Sequence, residues 1–88
     1  MLHDPLRRFA KNIRQARAAL GVTQERVAAA ADMEQSQYAR IERGEVEPGV
    51  RTAARVARAL EVPLAQLYEG VEWLPPPWLG PAEQGRPR

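Results

Sequence analysis

The chain has 88 residues, no cysteine and a formal charge of only +2. That length holds one small domain with one core, and the missing thiols exclude a disulfide scaffold, a thiolate metal site and a thiol nucleophile. No apolar run approaches the roughly 20 residues of a membrane-spanning helix and no signal peptide is visible, so a cytoplasmic protein is expected.

Asp4 and Pro5 open the first predicted helix, with aspartate at the N-cap and proline at the first helical position. The helix extends to about residue 20, where Gly21 ends it. Leu6, Phe9, Ile13, Ala16 and Leu20 form its buried stripe, and Arg7, Arg8, Lys11 and Arg14 lie opposite. Thr23 caps a second helix over 24–31. A three-residue joint, Asp32-Met33-Glu34, leads to a third helix over 35–43, with Glu34 a weak N-cap and Gly44 the stop.

Val27 and Ala31 give the second helix its inward face, Tyr38 and Ile41 the third. Ala28 is small enough for two helices to cross steeply at a short turn. Asp32 must tolerate a positive φ there, at more cost than glycine or asparagine. A loop over 45–49 precedes a fourth helix over 50–60, with Val50, Ala53, Ala54, Val56, Ala57 and Leu60 inward and Arg51, Arg55 and Arg58 outward. Pro63 starts a short fifth helix to about residue 68, contributing the apolar Leu64 and Leu67. Residues 71–88 then hold five prolines and both tryptophans, and three consecutive prolines exclude helix. The expected division is a domain over 1–70 and a proline-rich tail over 71–88.

The stretch over 24–44, QERVAAAADMEQSQYARIERG, resembles the helix-turn-helix of the phage Cro and repressor family, also called the XRE family. Thr23, Gln24, Val27, Ala28, Ala31, Met33, Tyr38, Ile41, Glu42 and Gly44 follow the family pattern. Asp32 departs from a preferred glycine, and Tyr38 from a preferred isoleucine or valine. Pro48, Val50, Thr52, Val56, Ala57, Leu60, Val62, Leu64 and Leu67 continue the match, which covers about residues 6–68. The resemblance implies an all-α, five-helix, lambda-repressor-like DNA-binding domain.

On that resemblance the third helix is the recognition helix. With Tyr38 and Ile41 buried, Gln35, Ser36, Ala39 and Arg40 share its outward face. Glutamine can pair bidentately with adenine and arginine with guanine in the major groove. By family position Gln35 is the first base contact, with Ser36 and Arg40 next; without the motif the same residues make a plain solvated face. Thr23 and Gln24 stand at the start of the second helix, where unpaired N–H groups and the helix dipole suit a phosphate. The resemblance gives Gln24 that contact and has it buttress Gln35, while Thr23 caps the helix in either case. Arg43 is a second phosphate candidate or else a solvated arginine. The resemblance also pairs Glu42 with Arg17 as a structural ion pair.

Charge argues less clearly. Residues 1–60 carry eleven Lys/Arg against seven Asp/Glu, whereas residues 61–88 carry two arginines against four glutamates. Twelve of the thirteen bases are arginine and fifteen residues are alanine, a bias that GC-rich coding explains as well as phosphate binding does. Glu34, Glu45 and Glu47 run against a DNA face, because acids there repel phosphate. His3 has no second ligand nearby, so no metal is expected, and no cofactor. No catalytic set of side chains is visible, and no enzyme activity is expected.

The expected function is a sequence-specific transcription regulator that reads a pseudo-palindromic operator in double-stranded DNA through the major groove, as a homodimer. Leu67, Tyr68, Trp73 and Leu74 are the expected dimer contact, within a stretch over 64–78 in which Trp73 is the anchor and Trp78 a weaker candidate, since with Val71 they make more apolar surface than a lone small domain exposes. Both tryptophans could instead fold back on their own domain. The alternative function is an antitoxin or other protein-interaction module whose tail, WLPPPW over 73–78, binds a partner protein. No effector domain, and hence no sensed small molecule, is expected after residue 70.

Overall fold

The computed structural model describes residues 4–73 and 78, and among them it has five helices and no strand. In chain order these are α1 (Pro5–Leu20), α2 (Gln24–Ala30), α3 (Gln35–Glu42), α4 (Val50–Ala59) and α5 (Leu64–Leu67). No helix among the described residues is long and apolar enough to cross a membrane. The Asp4 side chain accepts the Leu6 N–H at 3.0 Å to start α1, and Gly21 ends it at φ +75°.

One core joins all five helices. Phe9 and Ile13 come from α1, Val27 and Ala28 from α2, Tyr38 and Ile41 from α3, Ala53 and Val56 from α4, and Leu67 from α5. Helix α3 packs against both α1 and α2, α4 packs on α2 and α5, and α5 also touches α1. The inner face of α3 is therefore fixed from two sides while its outer face stays open.

Two positions expected inside α4 are outside. Val50 is 74% exposed because it is the first residue of the helix, and its side chain leans N-terminally past the packed surface. Ala54 is exposed because it lies about 100° round the helix from Ala53, off the stripe of Ala53, Val56, Ala57 and Leu60. In α1, Leu6 and Leu20 are only half-buried, whereas Asn12 is buried. The Asn12 amide donates to the carbonyls of Leu67 at 2.9 Å and Glu69 at 2.8 Å. Those carbonyls sit at the end of a four-residue helix, too short to persist without such tertiary anchors.

Helices α2, α3 and α4 close in the same way. Met33 and Asp32 donate to Ala28 and Ala29, Glu45 and Gly44 to Arg40 and Ile41, and Val62 and Glu61 to Ala57 and Arg58, all within 3.0–3.1 Å. Each is a Schellman pair that needs one left-handed residue. Gly44 supplies it at φ +72°, but Asp32 at +57° and Glu61 at +60° carry a Cβ into that region. A non-glycine residue there costs roughly 1–2 kcal/mol, of which glycine's greater unfolded-chain freedom returns about half. Glu61→Gly is expected to raise the melting temperature by roughly 2–6 °C and Glu61→Ala to give no such gain. Thermal unfolding followed by circular dichroism checks this; a lower melting temperature for the glycine variant would contradict the assignment of strain.

Candidate nucleic-acid interface

Tyr38, Ile41 and Glu42 form the buried side of α3, and Gln35, Ser36, Gln37 and Arg40 its exposed side, with Ala39 half-buried. Gln37, not singled out by its sequence position, turns its carbonyl oxygen back to accept the Glu34 N–H at 3.3 Å and supports the first turn.

The anchor of this helix is Glu42, only 2% exposed. Its carboxylate accepts from Arg17 Nε at 2.6 Å and Arg17 Nη2 at 3.1 Å, from Gln24 Nε2 at 2.8 Å, and from the Tyr38 hydroxyl. Arg17 also donates to the Val22 carbonyl at 3.1 Å, and Arg14 to the backbone carbonyl of Glu42 at 2.5 Å. One carboxylate thus ties α1, α2 and α3 together. Burial pushes its pKa up, but the hydrogen bonds from Arg17, Tyr38 and Gln24, with the charge of Arg17, outweigh burial and hold it below the ordinary value. The Arg17 pKa rises through its hydrogen bond to Glu42. Burial, reinforced by Glu42, raises that of Tyr38.

Among the described residues Gln24 has no hydrogen bond to Gln35; its Nε2 donates to Glu42 instead, since a buried carboxylate is a stronger acceptor than a neutral amide. Thr23 Oγ1 accepts the Arg26 N–H at 3.1 Å and caps α2. The other end of α2 is closed by Arg55, whose Nε donates to the Ala31 carbonyl at 3.0 Å. Neither Arg14 nor Arg55 was singled out in this role; their targets are backbone carbonyls, which leave no trace in sequence.

Arg43 forms a two-pronged pair with Glu45, Nε to Oε2 at 2.6 Å and Nη2 to Oε1 at 3.2 Å. Arg40 Nε lies 3.8 Å from the same carboxylate. The hydrogen bond from Arg43 holds the Glu45 pKa below its ordinary value and raises that of Arg43.

At the other end of the chain, Leu67 is fully buried in its own core and is not available as a dimer contact. Tyr68 is 41% exposed and packs on Phe9, ring centroids 4.8 Å apart. Trp73 and Trp78 are 80% and 81% exposed, so neither is buried against its own domain. Leu74 and His3 lie outside the described residues. A cleft of about 290 Å³ beside Trp73 is lined in part by Phe9, Tyr68 and Val71 and edged by Glu47. Among the described residues no group of three or more His, Cys, Asp or Glu side chains is placed to hold a metal ion.

A short joint between α2 and α3, with α3 held on one face and open on the other, defines a helix-turn-helix domain. The Helix-turn-helix family model matches residues 13–67, more than half of the chain. The protein belongs to the Cro/repressor-type (XRE) helix-turn-helix family of DNA-binding domains. Solved structures that resemble it include two regulators. The restriction-modification controller protein C.AhdI from Aeromonas hydrophila is 27% identical, with a TM-score of 0.68 over 70% of this chain and 94% of that one. The clp gene regulator ClgR from C. glutamicum is 26% identical, with a TM-score of 0.70 over 75% and 86%. No curated protein gives a significant match.

Proposed function

We propose that the protein is a sequence-specific transcription regulator of the cytoplasm that binds a pseudo-palindromic operator as a homodimer, with α3 in the major groove. The observation that carries this is the one-sided burial of α3. Tyr38, Ile41 and Glu42 fix its inner face, and Gln35, Ser36 and Arg40 stand exposed on a helix the groove can admit. Those three side chains contact bases. Thr23, Gln24 and Arg43 contact phosphates, which set position on the duplex but carry no sequence information. Likeness to a restriction-modification controller and to a clp gene regulator supports a regulatory role.

One recognition helix reads too few base pairs to find a single site in a genome. Two-fold pairing places two such helices roughly 34 Å apart, one turn of DNA. Tyr68 and Trp73 offer exposed aromatic surface for that pairing. Selection of bound duplexes from a random pool, with footprinting on the gene's own promoter, should recover two inverted half-sites about one turn apart. Sedimentation should show a dimer at tens of micromolar for the full chain and a monomer for residues 1–70 with helicity kept. A monomer in both cases would refute the homodimer.

The exposure of both tryptophans also favours a second reading, in which the tail binds a different protein, as in an antitoxin. A monomeric full chain that binds DNA equally well without residues 71–88 would favour it.

A further inference from the structure

Glu45 is an acid that meets two of the proposed DNA contacts, Arg43 and Arg40, and its position is built rather than incidental. Its backbone N–H closes α3 by donating to the Arg40 carbonyl at 3.0 Å, with Gly44 at φ +72° making the turn. From there its carboxylate fills the donor edge of Arg43 with two hydrogen bonds, at 2.6 and 3.2 Å, and stands 3.8 Å from Arg40. Arg40 and Arg43 are each 56% exposed, on the rim of the surface assigned to DNA.

We propose that Glu45 is a specificity-determining residue: it opposes phosphate contact by Arg43 on any DNA, and it withholds Arg40 from phosphate on unmatched DNA while leaving Arg40 free to bond a base. The proposal rests on the DNA-reading role given to α3 above. A phosphate on either arginine must displace Glu45 or sit beside it, anion against anion. A base edge is neutral. Arg40 can therefore pair with guanine while Glu45, in single long contact with it, still balances its charge and limits its rotamers. Unmatched binding depends almost wholly on phosphate contacts and bears the penalty, whereas matched binding gains base contacts that Glu45 does not oppose.

Glu45→Gln keeps the shape and removes the charge. Each arginine freed for phosphate releases about one more counterion, which steepens the salt dependence by about 0.9 log units per log unit of salt and is worth roughly tenfold at 0.1 M salt. The expected result is binding to random duplex that tightens about tenfold more than binding to the duplex selected by the wild type, because Arg43 meets phosphate on both and Arg40 only on random DNA, with the larger increase in salt slope on random DNA. Glu47→Gln makes the same change in net charge on the same loop, but Glu47 has no ion pair among the described residues. It controls for charge alone. Titrations of all three proteins on both duplexes between about 50 and 200 mM salt give the affinity ratio and the slope together. A ratio unchanged by Glu45→Gln, or lowered equally by Glu47→Gln, overturns the proposal and leaves the recognition helix standing. Failure of the wild type to select any sequence overturns both.

Discussion

Arg17→Ala is expected to lower the melting temperature by roughly 10–20 °C, against a few degrees at most for Arg7→Ala or Arg51→Ala. Arg7 and Arg51 are exposed on α1 and α4 with no ion pair among the described residues, so their loss removes only charge. Arg17 is 27% exposed and covers a carboxylate that is 2% exposed. Removing one partner of a buried pair typically costs 3–5 kcal/mol, because the other charge is left in a medium that solvates it badly. Glu42 keeps Tyr38 and Gln24, so a smaller loss of about 2–3 kcal/mol is expected.

The pH dependence gives a second signature. In the wild type the Glu42 pKa is below its ordinary value, so this group contributes stability that is present above the ordinary carboxylate range and lost as pH falls through the folded pKa. In Arg17→Ala burial keeps pushing the pKa up while the strongest opposing contact is gone. Protonation then relieves the variant. The gap in melting temperature should narrow as pH falls from about 7 toward 4. Equal melting temperatures for all three variants would show that the pair with Glu42 holds nothing together.

Gln35→Ala and Arg40→Ala are each expected to weaken binding to the selected operator by about 1–3 kcal/mol, roughly ten- to a hundredfold. A bidentate side chain contributes two aligned hydrogen bonds to the right base and leaves unpaired groups against a wrong one. Loss of Gln35 should leave random duplex almost untouched, since it carries no charge. Gln24→Ala should weaken both duplexes to a similar extent. It also removes a hydrogen bond to Glu42, worth about 1 kcal/mol of stability, so the comparison belongs well below the melting transition.

The five helices were legible because their signals are local. Asp4, Thr23, Gly21 and Gly44 cap or stop helices through contacts within four residues, and the apolar spacing of Phe9, Ile13, Val27, Tyr38 and Ile41 marks the faces that do meet. Asp32 was legible as the left-handed residue because the joint is short. Glu61 was not, since nothing in a glutamate between Leu60 and Val62 advertises a positive φ. Asn12 sits in an apolar stripe, and its reason for being there, the carbonyls at Leu67 and Glu69, is 55 and 57 residues away.

Alanine misled in α4, because it is equally at home on either side of a helix; Ala54 shows this. Leu67 misled for a related reason. Apolar character says that a residue avoids water, not whether its own core or a second subunit covers it. Gln24 was placed correctly on α2, but its partner is set by competition between acceptors, and the buried carboxylate of Glu42 wins over Gln35.

Whether α3 reads bases is decided by one set of titrations: wild type and Gln35→Ala, each against the selected operator and a random duplex at one salt concentration. Gln35→Ala is expected to lower the ratio of specific to random affinity by roughly ten- to a hundredfold, almost all of it through the operator. An unchanged ratio would mean that α3 is not the element that reads the sequence.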